Sequence, residues 1–531
     1  MLRAVQNSIT EWSLSSSQSY DDPFNELEVD VIIVDPSGTQ RRIPAFWSGE
    51  QTWRVRYSAS ELGHHSWRSI CSDTSNTDLH DREGVLDVAP YTGSNPLLQQ
   101  GPLSVSDNRR YLQHSDGTPF FWLADTWWMA LSDRLSWPAD FQQLTQDRVD
   151  KQFTVVQLVA GLFPDMPAFD ERSRNREGFA WEEGFERINP SYYDHADVRI
   201  HHLVRSGLLP CILGCWGYYL PWLGIDKMKQ HWRHLVARYG AYPVVWCLAG
   251  EGSMPWYLSE DKDADRALLR QGWTELTRYL RQIDPYSHPI TIHPSDSARD
   301  TVEDTTVLDF DMLQTGHGDR SSIPNTIRRV QQAYEAEPVM PVINGEVCYE
   351  GIGEACRQEV QRFMFWACML SGACGHTYGA NGIWQVNSSQ RPYGPSPHGM
   401  AWGHTPWDEA SQLPGSGQLG LAKTFLAKYE WWRFEPHPEW VTPAAAPEKP
   451  NRTFAAGIPG QVRVLFLPSG VWGITVQGIE PGCSYRAALF NPVDGDLRDI
   501  GIVEADAQGD WRLPLARAPI FQDWVLVLDA T

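Results

Sequence analysis

The spacing of hydrophobic and polar residues changes twice along the chain and predicts three regions. The first region alternates with the two-residue period of β-strands, as in LEVDVIIV and TWRVRYSA, with Gly, Pro and Asp turns between segments. The same alternation returns near the C-terminus in QVRVLFLPSG and WVLVLD. We therefore predict an N-terminal β-sandwich over residues 1–97, a central α/β domain over 98–435 and a C-terminal β-sandwich over 436–531.

The central region contains eight candidate strands, separated by helical segments such as DKMKQHWRHLVARYG. The strands are predicted at residues 120–126, 154–159, 208–216, 244–251, 289–295, 309–316, 341–346 and 372–380. Eightfold repetition of strand and helix is the signature of a closed parallel barrel. The predicted fold class is therefore α/β, a (β/α)8 TIM barrel flanked by N-terminal and C-terminal β-sandwich domains.

Candidate chemistry follows from the ends of these strands. In a parallel barrel the functional side chains lie at the C-terminal strand ends, because those ends and their loops form the open face. The residues there are nearly all polar or aromatic: Asp125, Gln157, Trp216, Glu251, His293, His317, Glu346, His376 and Tyr378. Some of them, particularly Asp125 and His376, have an alternative interpretation as buried, hydrogen-bonded supports.

Two glutamates dominate this set. Cleavage of a glycosidic bond needs two carboxyl groups on opposite faces of the bond, and Glu251 and Glu346 end strands 4 and 7, on opposite sides of the ring. Tyr349 is near enough in sequence to donate a hydrogen bond that keeps Glu346 ionised as a nucleophile. Glu251 is then the general acid/base, in a more apolar or more negative setting. For either glutamate alone, a salt bridge to a neighbouring Arg explains it equally well.

The remaining candidates suit sugar recognition. The chain contains 25 Trp residues, and indole faces are surfaces on which sugar rings stack. Trp216, Trp384 and Tyr378 are candidate stacking platforms, with packing of the barrel as the alternative. The candidate hydroxyl-binding residues are Asp125, His293, His317 and His376.

Charge and composition exclude several classes of partner. The net charge of -22 repels phosphate backbones and anionic lipid, and no apolar run approaches the ~20 residues that span a bilayer. We expect a carbohydrate substrate, no nucleic acid and no membrane; homo-oligomer formation stays open. The N-terminus has no secretory signal and the nine Cys have no framework spacing, so a cytoplasmic location is expected unless a leader was removed.

No metal or cofactor motif stands out. Cys211 and Cys215 lack a second pair at zinc spacing. The segment DKDADRALLRQG begins like a calcium loop, but Arg266 and Gly272 occupy the positions where such a loop needs Gly and Glu. We therefore predict no metal and no cofactor.

Six segments between about residues 118 and 387 carry a family resemblance. They are TPFFWLADTWW, RINPSYYDHADVRIHHLVRSGLLPCILGCW, ARYGAYPVVWCLAGE, DFDMLQTGH, PVINGEVCYEG and GACGHTYGANGIWQ. In order and spacing they resemble the apiosidase-like (DUF4038) group, in the glycoside hydrolase clan that also holds the cellulase-like family 5 barrels. The flanks resemble an N-terminal DUF5060-type sandwich and a C-terminal sandwich of the "collagen-binding" type, a label that does not imply collagen here.

The resemblance implies an acid/base on strand 4 and a nucleophile on strand 7, which fall on Glu251 and Glu346. The chain departs from the family pattern at one position that bears on the substrate. Many clan members have Asn immediately before the acid/base, where it binds the sugar 2-hydroxyl, and this chain has Gly250. Apiosidase activity, against a branched pentofuranose, therefore carries over only loosely.

The function expected from these observations is a retaining glycoside hydrolase that works by two-carboxylate double displacement. Its expected substrate is a furanoside or pyranoside in plant or microbial polysaccharide or oligosaccharide, with exo action. Two alternatives come from other classes. One is a non-catalytic carbohydrate-binding barrel, and the other is a polysaccharide lyase with Tyr378 or a His as base, disfavoured because a uronate needs local Arg or Lys.

Overall fold

The eight strands of the central region form one parallel sheet that curls into a barrel. They are β1 (Trp122–Thr126), β2 (Val155–Val159), β3 (Leu209–Leu213), β4 (Val245–Cys247), β5 (Ile290–Thr291), β6 (Asp311–Gln314), β7 (Val342–Glu346) and β8 (Gly375–Tyr378). The sheet order is β5-β4-β3-β2-β1-β8-β7-β6, and the ring closes where the Asp309 amide donates to the Ile290 carbonyl at 2.9 Å. The predicted (β/α)8 barrel between β-rich terminal regions is confirmed.

Helices cover the outside of the barrel, and each carries the number of the strand it follows. They are α1 (Ala139–Asp150), α2 (Pro190–Arg205), α3 (Ile225–Tyr239), α4 (Lys262–Ile283), α5 (Ala298–Thr301), α6 (Ile323–Glu335), α7 (Gln358–Met369) and α8 (Pro414–Leu426). Local chemistry fixes several of their starts: Asn189 caps α2 before Pro190, and the Asp261 carboxylate accepts the Ala264 amide at the start of α4. Short helices at Tyr219–Leu223 and Trp407–Ser411 precede α3 and α8.

The computed structural model describes residues 1–471, 473–514, 519 and 521–531. Short 3₁₀ turns lie at Glu171–Ser173, Glu183–Phe185, Thr305–Val307, Asp319–Ser322, Ile352–Glu354, Trp431–Arg433 and Pro438–Trp440. Within the described residues, no helix is long and apolar enough to span a membrane.

Two β-sheets precede the barrel and share one hydrophobic core. The larger has the strand order Leu2–Val5, Glu83–Ala89, Gly63–Cys71, Val29–Val34 and Gln40–Pro44, and the smaller has Thr10–Ser15, Thr52–Tyr57 and Phe46–Trp47. Short helices lie at Pro23–Glu26 and Pro96–Gln99. A small antiparallel sheet of Leu103–Val105, Leu112–His114 and Pro119–Phe120 then leads into β1.

The C-terminal region also contains two sheets. The larger has the order Glu435–Pro436, Phe454–Ile458, Val462–Leu467, Trp524–Ala530, Tyr485–Phe490 and Leu497–Ile502, and the smaller has Val441–Thr442, Thr475–Val476 and Trp511–Arg512. Alternate residues of the strand Val462–Leu467 belong to two cores: Leu465 packs with the smaller sheet, whereas Phe466 joins the core of the barrel. The domain boundaries at residues 97 and 435 stay predictions.

Candidate active site

The C-terminal strand ends surround a cavity. Its lining comes from the ends or following loops of seven of the eight strands. The lining residues are Trp128, Pro164, Asp165, Trp216, Glu251, Tyr257, His317, Glu346, Tyr349, Ile352, Trp384 and Trp402. Both predicted catalytic glutamates, Glu251 and Glu346, therefore face one cavity.

An irregularity in β7 aims Glu346 into this cavity. Asn344 pairs with Leu313 of β6, but Glu346 pairs with the next residue, Gln314, so Gly345 is an extra residue on β7. Strict alternation would put the side chains of residues 344 and 346 on the same face, and a bulge re-aims a side chain to the other face. Position 345 must be small, because a Cβ there would lie 2.4 Å from Met312 Cγ.

The Glu346 carboxylate is 4% exposed and is surrounded by donors. Its Oε1 lies 2.8 Å from His317 Nε2, and its Oε2 accepts a 2.5 Å hydrogen bond from the Tyr349 hydroxyl. His293 Nε2 lies 3.3 Å from Oε2, at ion-pair distance. Burial alone would raise the pKa of Glu346, but the contacts with His293 and His317 lower it to about 2. Glu346 is therefore ionised at neutral pH.

Glu251 has a different environment, half-buried beyond the end of β4. Its carboxylate accepts one hydrogen bond, from Gln314 Nε2 at 3.0 Å. Burial, and then the negative charge of Glu346, raise the pKa of Glu251 to about 7. The backbone at Glu251 has a φ of 43°, a left-handed conformation that is uncommon for a non-glycine residue and is enriched at functional sites.

A comparison with protein-family models identifies the family of the barrel domain. A model of the apiosidase-like catalytic domain matches residues 106–433, more than half of the chain. The chain belongs to the apiosidase-like family. It is thus an enzyme of the glycoside hydrolase class, as predicted, and a DUF5060 model matches residues 5–72 of its N-terminal region. The resemblance of the C-terminal region stays a prediction.

Solved structures share the fold of this apiosidase-like enzyme. One, described as a glycoside hydrolase, is 23% identical, with 82% of this chain and 98% of that chain covered and a TM-score of 0.68. A second, a glycoside hydrolase family 5 protein from Bacteroides vulgatus ATCC 8482, is 22% identical, with 82% and 95% coverage and a TM-score of 0.67. A search of curated proteins found no match.

The histidines expected near the substrate have separate positions in the apiosidase-like site. His317 lines the cavity, and its pKa is raised because the contact with Glu346 outweighs burial, which alone would lower the pKa. His293 is fully buried beside both glutamates: its Nδ1 lies 3.5 Å from the Glu251 amide, while its Nε2 approaches Glu346. His293 therefore braces the catalytic pair from the barrel side.

Two predicted stacking residues, Trp216 and Trp384, line the cavity. Each is 4% exposed, and the indole nitrogen of each has no hydrogen-bond partner within the described chain. Trp216 also fills the space beside Gly250, where a Cβ would lie 2.2 Å from its ring carbons. The space next to position 250 therefore holds an indole in this enzyme.

Besides His293, four predicted substrate-binding residues do not line the cavity, which corrects the expectation for them. Asp125 and Tyr378 point toward the helices, because alternate residues of a strand face opposite sides. Asp125 pairs with Arg148 of α1 at 2.6 Å, and the Tyr378 hydroxyl donates to Glu350 at 2.6 Å. These side chains support the barrel.

The other two corrected residues are Gln157 and His376. Gln157 lies inside the barrel and donates to the Gly345 carbonyl at 3.0 Å, so it braces the β7 bulge. His376 is fully buried against Phe365, and burial lowers its pKa to about 3. A neutral, packed His376 has no route to a sugar hydroxyl.

The sequence-based set omitted several residues of the site, among them Trp128, Asp165, Gln314 and Trp402. Trp128 and Gln314 lie next to predicted strand ends, and a consideration of strand faces would have found them. Trp128 Nε1 donates to the Tyr349 hydroxyl at 3.0 Å, and that hydroxyl in turn donates to Glu346. Asp165 and Trp402 lie in loops distant from each other in sequence, and no local pattern marks them.

Proposed function

We propose that this apiosidase-like enzyme is a retaining glycoside hydrolase with Glu346 as nucleophile and Glu251 as general acid/base. The observation that carries the proposal is the contrast between two carboxyl groups that line one cavity: three donor groups surround Glu346, whereas Glu251 lies beside that negative charge. A group with a pKa of about 7 holds a proton for the leaving oxygen, whereas one with a pKa of about 2 stays ionised and can attack.

The two roles fit a double displacement. In the first step Glu346 attacks the anomeric carbon while Glu251 gives its proton to the departing glycosidic oxygen, and a glycosyl ester forms on Glu346. The ester removes the negative charge that helps to raise the pKa of Glu251. With a lower pKa, Glu251 stays ionised after giving up its proton and can act as the base. It takes a proton from water while the water oxygen attacks the anomeric carbon, and Glu346 leaves as a carboxylate.

The cavity favours a neutral sugar unit at the end of a chain, as a furanoside or pyranoside of a plant or microbial glycan. Among the described residues, its lining includes three carboxylates and no Lys or Arg. Such a lining disfavours a uronate.

The same observations weigh against the lyase. Its candidate base, Tyr378, is fully buried outside the cavity and bonded to Glu350. A non-catalytic barrel would have no need to hold two facing carboxyl groups in opposite protonation states. The hydrolase is therefore the function that these residues support best.

A panel of nitrophenyl furanosides and pyranosides tests the proposal. We expect the wild-type protein to release nitrophenol from at least one neutral glycoside, and Glu251→Gln and Glu346→Gln each to lower kcat/KM on the order of a thousandfold or more. Glu354→Gln is the matched control, because this exposed carboxylate lies on the loop after β7 and should leave the rate unchanged.

The anomer of the first product separates the mechanisms. Proton NMR of the fresh product should show the same anomeric configuration as the substrate. Inversion would refute the nucleophilic role of Glu346, and near-wild-type activity of either Gln variant would refute the assigned pair. Unsaturated, ultraviolet-absorbing products from uronate polymers would support the lyase instead.

A further inference from the structure

Asp165 is a third carboxylate in the catalytic cavity, on the loop that follows β2. It is 6% exposed, and its two oxygens accept hydrogen bonds from two other loops. The Tyr257 hydroxyl, from the loop after β4, donates to Oδ1, and Trp402 Nε1, from the loop after β8, donates to Oδ2 at 3.2 Å. Three loops therefore converge on this one side chain.

The backbone around Asp165 is fixed by buried tyrosines. The Tyr218 hydroxyl donates to the Phe163 carbonyl at 3.1 Å, and the Tyr393 hydroxyl donates to the Pro164 carbonyl at 3.0 Å. Asp165 itself has a φ of 56°, in the left-handed region that is unfavourable for a residue with a Cβ. The surrounding contacts hold Asp165 at this place despite that cost.

The charge of Asp165 has no ionic partner. Within the described residues, no Lys, Arg or His nitrogen lies within 4.0 Å of its carboxylate. Arg172 donates to the Asp165 backbone carbonyl at 3.4 Å, while the carboxylate paired with Arg172 is Asp170. Burial raises the pKa of Asp165, although the hydrogen bonds from Tyr257 and Trp402 act in the opposite direction. Buried carboxyl groups with a perturbed pKa concentrate at functional sites.

The hydrogen-bonding capacity of Asp165 is also incomplete. In its ionised form the Asp165 side chain offers about four acceptor positions, and protein donors occupy two of them, one on each oxygen. A ligand that brings two neighbouring hydroxyl groups would supply the remaining donors. Because a carboxylate only accepts, it would discriminate against sugars that lack these hydroxyls or carry a negative charge.

We infer that Asp165 is a specificity-determining residue that binds two neighbouring hydroxyls of a neutral sugar unit in the catalytic cavity. The inference rests on the proposed function in one respect, that the cavity takes a carbohydrate. It goes further by assigning recognition to a loop residue, held in place by Tyr257 and Trp402, that takes no part in bond cleavage.

Sugar binding tests the assignment without requiring turnover. Tryptophan fluorescence can report binding, because four tryptophans line the cavity. The ligands are free neutral pentoses and hexoses, their monodeoxy analogues and the corresponding uronic acids. For the sugar that wild type binds most tightly, Asp165→Asn should weaken binding tenfold to a hundredfold, the usual range for charge-assisted hydrogen bonds.

The deoxy analogues distinguish direct contact from a structural role. Two of the monodeoxy analogues each lack one of the two adjacent hydroxyls that Asp165 binds, and wild type should bind both more weakly than the parent sugar. Asp165→Asn should bind these two analogues as tightly as it binds the parent sugar. Tyr257→Phe is the matched variant, because it removes a donor to Asp165 but keeps the carboxylate. Its affinity should fall less than that of Asp165→Asn and should still depend on the same two hydroxyls. If Asp165→Asn weakened the binding of every analogue by the same factor relative to wild type, the inference would be overturned.

Three other results would also overturn it: binding by Asp165→Asn within twofold of wild type, uronic acids bound as tightly as neutral sugars, or no sugar bound by wild type. Failure of the proposed function has a different outcome. Sugars would then bind with the predicted dependence on Asp165 while no glycoside is hydrolysed.

Discussion

Tyr349 and the two histidines near Glu346 explain how one glutamate loses its proton while the other keeps it. The Glu346 carboxylate has a hydroxyl and two imidazoles within 3.3 Å, whereas the Glu251 carboxylate accepts one amide hydrogen bond. Donors stabilise the charged form of a carboxyl group, and burial beside another negative charge disfavours it. The division of roles therefore comes from neighbouring side chains.

The first prediction concerns the pH dependence of kcat/KM. The free enzyme needs Glu346 ionised and Glu251 protonated, so the rate should be flat in mild acid and fall with an apparent pKa of about 7. The two groups interact, so this value belongs to the pair. Steady-state kinetics from about pH 4 to 9 checks it, and an unchanged rate across that range would contradict it.

The second prediction concerns Tyr349→Phe. Loss of the hydroxyl removes a donor to ionised Glu346, so the pKa of Glu346 should rise and kcat should fall about tenfold to a hundredfold. The acid limb of the pH profile should move to higher pH. Tyr378→Phe is the control, because its hydroxyl bonds Glu350 outside the cavity and its loss should leave the acid limb in place.

Strand faces and one bulge decide which strand-end side chains reach the cavity. Asp125 and Tyr378 lie at the ends of β1 and β8, as predicted, yet both face the helices. Glu346 reaches the interior because Gly345 adds a residue to β7. The sequence located all eight strands, but it did not reveal the bulge or the face of each terminal residue, since both depend on pairing with a neighbouring strand.

The third prediction concerns the contact between β4 and the loop after β3. In Gly250→Ala the new Cβ would lie 2.2 Å from the buried ring of Trp216, so the indole must move within the cavity. We expect a loss of about 1 to 3 kcal/mol in unfolding free energy, together with a higher KM. Denaturant unfolding and steady-state kinetics measure the two effects.

Gly417→Ala is the matched control for that substitution. A Cβ at position 417 meets no atom within 4 Å, and the residue lies within α8. Alanine favours helix more than glycine does, by up to about 1 kcal/mol, so this variant should be unchanged or slightly more stable. Similar losses in both variants would contradict the role assigned to Trp216.

Buried ion pairs join both terminal regions to the barrel. The N-terminal sandwich contributes Arg56, which shares the Asp197 carboxylate of α2 with Arg238 of α3 and also donates to the Arg238 carbonyl at 2.8 Å. The C-terminal region contributes Asp523, which pairs with Arg362 of α7 at 2.6 Å, and Phe490, whose ring centroid lies 4.3 Å from that of Phe425 of α8. Buried charge therefore contributes to both contacts.

The fourth prediction concerns Asp197→Asn, which leaves two buried guanidinium groups without their shared carboxylate. We expect a loss of about 3 to 5 kcal/mol in unfolding free energy, measured by denaturant or calorimetry, with the active site intact. Asp194→Asn is the control: this carboxylate also pairs with Arg238 but is 42% exposed, so the loss should stay below about 1 kcal/mol.

Acid should act on the same contact. Burial alone would raise the pKa of Asp197, but Arg238 and Arg56 hold it well below its usual range. A lowered folded-state pKa contributes stability that is present above the unfolded value of about 3.9 and lost as pH falls toward the folded value. Stability of wild type should therefore decline more steeply below about pH 4 than that of Asp197→Asn. Parallel declines would contradict this assignment.

The sequence by itself determined the barrel, the sandwich-like ends and the position of both glutamates, because hydrophobic periodicity and strand ends are local properties. Tertiary structure alone decided that Gln157 braces Gly345, that Trp216 fills the space beside Gly250, and that Tyr257 and Trp402 meet Asp165. Each of these contacts joins loops or strands far apart in sequence, and no local pattern specifies which distant side chains will meet.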